Sequence, residues 1–193
     1  MPVVEALELG LHLLISDLLD FSKLTAGQMN VTLSAQPVAP VINAAIAGNI
    51  ALAEEHVLSL STEGLEDQMV VADEHRLRQV LDNFINNAIK FSPPNQTITV
   101  KIEETSEGST RITVSDRGEG VPQEFENELF ERFSQAEVGS SKSIKGTGLG
   151  LAICKELAKL MDGEVGYFYE SGANFWIELP GKMIRKNNDN ENA

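Results

Sequence analysis

Cysteine is almost missing from this chain: Cys154 stands alone among 193 residues. Without a second thiol no internal disulfide forms and no cysteine zinc site can be built, so Cys154 reads as a small core residue. Basic residues are also few, 15 against 29 acidic, for a net charge of −14. General nucleic-acid binding and anionic-membrane binding both need a basic surface and are disfavoured, so any bound anion must be held locally. Long apolar runs are lacking as well. None approaches the ~20 residues of a membrane span, and the N-terminus shows neither the basic segment nor the cleavage site of a signal peptide. What is present, 42% hydrophobic and 23% charged residues, suits a soluble globular domain with one long helix attached, expected in the cytoplasm.

Val4, Leu7, Leu11, Leu14, Leu18 and Phe21 recur at intervals of 3, 4, 3, 4 and 3 residues, the a/d spacing of a coiled-coil seam. Leu9, Leu13, Ile15 and Leu19 widen that surface towards a four-helix bundle assembled by dimerisation. The alternative is a helix packed on its own domain. Gly27 is its natural stop. Beyond it the pattern predicts a strand over 29–33, a helix over 37–55, a strand over 57–61, and a helix over 73–91 capped by Asp73 and stopped by Pro93-Pro94. A hairpin over 97–104 and 111–115 follows, then an irregular stretch over 117–147, a helix over 149–161 and a closing strand pair over 164–169 and 174–179. The predicted class is α+β, a mixed and mostly antiparallel sheet covered on one face by helices and preceded by one long helix.

Three polar constellations stand out. On the helix over 73–91, Asn83, Asn87 and Lys90 share one flank. This could be the wet side of an amphipathic helix. Asparagine is a mediocre helix former, however, and DNFINNAIKF holds three, which a hard cation shared between amide and phosphate oxygens would explain. In SDRGEGVP, Asp116 at a strand end is followed by Gly118 and Gly120. Either this is a turn, or the carboxylate accepts from the exocyclic amine of a base that lies close to bare backbone, which favours adenine over guanine. In KGTGLGLAICKEL, Gly146, Gly148 and Gly150 stand at a helix entrance, where bare N–H groups and the helix dipole suit a triphosphate. No G-x-x-x-x-G-K-[ST], no G-x-G-x-x-G and no protein-kinase motif set is present.

Together these residues resemble the C-terminal part of a sensor histidine kinase of two-component signalling. DNFINNAIKFSP is similar to its N box, DRGEGVP to its G1 box, ELFERFSQ to its F box and KGTGLGLAI to its G2 box, in that order, with the likeness running from about residue 11 to 180. The resemblance implies the Bergerat fold, an α/β sandwich shared with type II topoisomerases, mismatch-repair ATPases and the ninety-kilodalton heat-shock chaperones. It implies a partial dimerisation-hairpin helix over 1–27, an ATP-binding catalytic domain over 28–182 and a disordered polar tail over 183–193. ATP and magnesium are the implied ligands. Asn87 would ligate the metal with help from Asn83, and Lys90 would meet the phosphates. Asp116 would bind the adenine amine, with Gly118, Gly120 and Phe91 around the base. Phe130 and Phe133 would anchor a lid that moves to exchange nucleotide, Arg132 would reach the γ-phosphate, and Lys145, Gly146, Thr147, Gly148, Leu149 and Gly150 would close on the phosphates.

Departures from that pattern are specific. Lys145 stands where many members have a lid glycine, and Gly172-Ala173-Asn174-Phe175 is a weak form of the last glycine motif. Asn83 occupies the position where hydrolysing relatives carry a glutamate base, and an amide cannot take a proton from water, so transfer is favoured over hydrolysis. None of His12, His56 and His75 is followed by the acidic residue expected of a phosphoacceptor. The implied function is donation of the ATP γ-phosphate to a histidine on a helix outside this chain, with no autophosphorylation by the fragment alone. A degenerate nucleotide-gated interaction module and a slow ATPase are the alternatives. Implied partners are that acceptor helix, a response-regulator receiver domain and a second copy through residues 4–21, with no nucleic acid and no membrane contact by this segment; a full-length protein could be anchored through other segments.

Overall fold

The computed structural model describes residues 15–55, 59–64, 67–106, 108–134 and 147–181. Helix α1, residues 15–25, ends in a Schellman turn: Gly27, at φ +63°, and Gln28 donate their N–H groups to the carbonyls of Leu24 and Lys23. Of the predicted seam, Val4, Leu7, Leu11 and Leu14 lie outside the described residues, as do Leu9 and Leu13. Leu18 is exposed at 58%, together with Ile15 and Leu19, whereas Phe21 and Leu24 pack against the core of their own domain.

The elements then run β1 (Ser34–Pro37), α2 (Val38–Glu55), β2 (Ser59–Gly64), β3 (Met69–Ala72), α3 (Glu74–Phe91), β4 (Thr97–Glu104), β5 (Thr110–Ser115), a 3-10 helix (Gln123–Glu128), α4 (Gly150–Leu160), β6 (Glu164–Tyr169) and β7 (Ala173–Leu179). Five strands form one sheet in the order β2-β4-β5-β7-β6, antiparallel except for the β2–β4 pair. β1 and β3 make a separate antiparallel pair. The predicted α+β architecture is present, with α2, α3 and α4 packed together over the five-stranded sheet.

Two expectations are corrected here. The strand expected over 29–33 is irregular, because Asp73 takes the Thr32 N–H on its Oδ2 at 2.8 Å and Met29 turns into the core, so regular pairing starts only at Ser34. β3 lies in a stretch assigned no element; MVVA is too short for its alternation to register. The expected Asp73 cap is present, its Oδ1 accepting from the Arg76 N–H at 3.1 Å. The α3 stripe of Leu77, Val80, Leu81, Phe84, Ile85, Ala88 and Ile89 is buried against Ile98, Val100, Ile112, Val114, Phe175 and Ile177 of the sheet. Each of these side chains except Ala88 is worth roughly 1.5–3 kcal/mol when fully buried, so α3 is held rigidly on the sheet and its polar flank has a fixed place. Cys154 is buried, and burial holds its thiol far above the ordinary range, as a core residue requires. No helix among the described residues is long and apolar enough to cross a membrane.

Candidate functional site

Asp116 follows the last residue of β5 and is only 3% exposed. Its Oδ1 accepts two main-chain bonds, from Gly118 N at 2.7 Å and from Ala173 N at 3.0 Å. Burial pushes its carboxyl above the usual range, and those two N–H groups partly offset the shift. With both bonds on one oxygen, Oδ2 is left to accept from a ligand. Gly118 is required by proximity: a Cβ there would stand 2.7 Å from the Phe91 carbonyl oxygen and 3.3 Å from Asp116 Oδ1. Gly172, at φ +144°, lets the β6–β7 turn lie on the Asp116 backbone, where a Cβ would overlap the Asp116 carbonyl oxygen. The weak last glycine motif therefore builds the floor under the carboxylate.

The α3 flank turns towards the same end of the sheet. Asn87 donates its Nδ2 to Asn83 Oδ1 at 3.3 Å, so the hydrogen bond uses the nitrogen of the Asn87 amide and not its oxygen. Asn83 in turn lies flush against the first residue of α4, because a Cβ on Gly150 would overlap its Nδ2. Lys90 is half-buried over the Phe91 ring at 5.0 Å, and burial lowers its ammonium pKa, while Phe91 itself is 59% exposed. Among the described residues no group of three or more His, Cys, Asp or Glu could hold a metal ion. A cation at this flank would take one or two amide oxygens and draw its other ligands from phosphate and water, which is the way magnesium is usually held.

The stretch from Phe133 to Thr147 is gripped at both ends. Phe133, at φ +59°, donates its N–H to the carbonyl of Gly148, which itself sits at φ +69°. Thr147 Oγ1 accepts from Leu149 N at 3.1 Å and donates to Asp17 Oδ2 of α1 at 2.9 Å. Phe21, four residues further along α1, meets Phe133 edge-on with ring centroids 6.2 Å apart. Arg132 stacks on that same Phe21 ring at 5.0 Å, and Phe130 is packed against the core. Leu149 puts its side chain in the core and caps α4 without a side-chain hydrogen bond. Lys145 and Gly146 lie outside the described residues. Of the three histidines, His12 and His56 lie outside them too, and the exposed His75 lines an open groove of about 470 Å³ with Thr32, Asp73 and Arg78, at the opposite end of α3 from Asn87.

Sequence reasoning missed the contributions of Tyr167, whose Oη accepts from the Val121 N–H at 3.2 Å beside the Asp116 turn, and of Asp17. The one signal for Tyr167 was its alternation with Tyr169 on an edge strand that follows α4. Asp17 carried none.

A family model described as histidine kinase-, DNA gyrase B-, and HSP90-like ATPase matches residues 72–183. The chain belongs to this family. Within it, the chain is 39% identical over 185 residues to two-component system protein A of Emericella nidulans, covering 89% of this chain and 27% of that one. Among solved structures it superposes on full-length ShkA, crystallised with AMPPNP, at a TM-score of 0.76 and 32% identity, over 93% of this chain and 38% of that one. It also matches the catalytic domain of the histidine kinase ThkA at a TM-score of 0.67 and 26% identity, over 78% and 98% of the two chains. The chain spans between 9% and 27% of the length of the fungal, Dictyostelium and Xanthomonas relatives it matches. The matched region contains Asp116, Asn87, Lys90 and the residues from Thr147 to Gly150.

Proposed function

We propose that this chain supplies the γ-phosphate of ATP to a histidine on a helix outside it, with residues 28–182 as the catalytic domain and residues 1–27 as part of a dimerisation hairpin. Asp116 Oδ2 accepts from the adenine 6-amine, Gly118 and Gly120 keep the backbone bare beside the base, and Phe91 covers it. Lys90 and the uncapped N–H groups of α4 face the phosphates, with Lys145, Gly146, Thr147 and Gly148 completing the lid. Bound magnesium would neutralise phosphate charge, and the Asn87 amide oxygen, oriented by Asn83, is the group to hold it. Arg132 reaches the γ-phosphate only after leaving the Phe21 ring. The receiver domain of a response regulator is the next acceptor, and the site works in the cytoplasm.

The carrying observation is the half-used carboxylate of Asp116: a buried acid with one oxygen tied by two backbone donors offers a single, directed acceptor. Transfer rather than hydrolysis is supported by Asn83, whose amide is already engaged by Asn87 and cannot serve as a base. Calorimetry with magnesium tests the reading. ATP should bind in the micromolar range and GTP should not. Asp116→Asn should abolish binding, since its Nδ2 would face the amine as a second donor. Adding the acceptor helix in trans should yield phosphohistidine, and a folded acceptor that stays unlabelled beside a chain saturated with ATP would refute the transfer.

A further inference from the structure

The loop over 116–121 is bound to the β6–β7 hairpin by four contacts. Three of them end on main-chain atoms of the hairpin: Asp116 N to Ala173 O at 2.9 Å, Ala173 N to Asp116 Oδ1 at 3.0 Å, and Arg117 Nη1 to Ser171 O at 3.2 Å. Many hairpin sequences could provide those. The fourth depends on one side chain, because Val121 N donates to Tyr167 Oη at 3.2 Å, 46 residues away. Gly120 lies between, at φ +74°, and a Cβ there would stand 2.7 Å from Tyr167 Oη and 2.6 Å from Tyr169 Cδ2. The tyrosine is itself immobilised. Its ring lies 5.2 Å from that of Phe175, which lies 5.7 Å from that of Phe84 in α3, the residue after Asn83.

We infer that Tyr167 is a positioning residue for base recognition, its hydroxyl holding the Val121 end of the 116–121 loop so that Asp116 and the two glycines are set before nucleotide arrives. A β6 residue without a hydroxyl there would leave the loop fastened at its Asp116 end only. The loop would then occupy the competent arrangement for part of the time, and the apparent dissociation constant rises as the inverse of that fraction. One hydrogen bond of ordinary strength corresponds to a factor of roughly two to ten. Because the defect lies at the base, it acts equally on every adenine nucleotide, whatever the length of its phosphate chain.

This inference rests on the proposed ATP site, and the experiment separates the two. Titration calorimetry of the wild-type chain and Tyr167→Phe with ATP and with ADP should show both dissociation constants rising about fivefold, by equal factors, with an unchanged stoichiometry and a melting temperature within about 8 °C of wild type. A merely structural role would lower the stoichiometry instead. Equal affinities in the two proteins overturn the role of Tyr167 and leave the ATP site standing. A wild-type chain that binds neither nucleotide overturns both. Amide exchange followed by NMR gives a reading independent of the variant: the Val121 N–H of the wild type should be protected, and exchange at the rate of an open loop would equally overturn the inference.

Discussion

Gly150→Ala sets two effects of known size against each other. Residue 150 opens α4 with an ordinary helical backbone, so alanine should stabilise the helix by up to ~1 kcal/mol. Its Cβ, however, would overlap Asn83 Nδ2 and lie 3.2 Å from Asn83 Cγ. The amide is the end of a short side chain and can swing aside, so the fold should survive, with a melting temperature within about 4 °C of wild type. The swing breaks the bond from Asn87 to Asn83, releasing the Asn87 amide whose oxygen is the proposed cation ligand. Losing one such bond corresponds to ~0.5–1.5 kcal/mol, and magnesium-dependent ATP affinity should fall several-fold. A cycle with Asn83→Ala isolates the effect. Truncating Asn83 removes the three atoms nearest the alanine Cβ at 150, so the second substitution should leave affinity unchanged and raise stability. The cycle should show a coupling of about 1 kcal/mol between two residues 67 positions apart. If the two substitutions add to within ~0.3 kcal/mol, the packing of Asn83 under α4 has no part in metal holding and the reasoning fails.

Gly172→Ala should be far more disruptive. Its φ of +144° and the overlap with the Asp116 carbonyl oxygen cannot be relieved by a side chain; strain alone costs about 1–3 kcal/mol, and an unchanged urea midpoint would contradict the geometry. Asp116 predicts a pH dependence whose sign can be stated. Burial raises its folded-state pKa above the unfolded 3.8, so its charge destabilises the free fold at neutral pH. That penalty disappears as the pH falls through the folded value, while ATP affinity falls in the same window because the protonated acid no longer offers a bare acceptor. Dissociation constants measured from pH 4 to pH 8 should show this loss starting above 3.8, and a flat profile would count against Asp116 as the base acceptor. Phe21→Ala removes both the edge contact to Phe133 and the ring under Arg132. The rate of release of a fluorescent ATP analogue should rise several-fold, as aromatic pairs are worth about 0.5–1.5 kcal/mol; an unaltered rate would mean that α1 does not restrain the segment.

How much of this could be read from the chain alone depended on distance along it. α3 was legible from its cap to its Pro-Pro stop, because its period, its Asp73 and its asparagine flank are all local. The hairpin β4–β5 and the Asp116 turn were legible for the same reason. Residues 29–33 were misread because their fate is decided by the Asp73 carboxylate, 41 residues from Thr32. Arg132 was assigned to a phosphate from motif position, whereas the structure rests it on Phe21, more than a hundred residues away. Tyr167 shows the same limit: nothing in GYFY says that one of its hydroxyls will accept a hydrogen bond from the Val121 N–H.

Asp17 and Phe21 are one helical turn apart on a single face of α1, and between them they touch Thr147 and Phe133, the residues on the two sides of a thirteen-residue span, 134–146. Turning α1 about its axis by the angle of a single residue, about 100°, would carry both side chains away together. Sliding α1 lengthwise would also shift both, in the same direction and by the same amount. A rigid rotation or slide of α1 therefore breaks both contacts together, so the position of one helix sets Phe133 and Thr147 at the same moment.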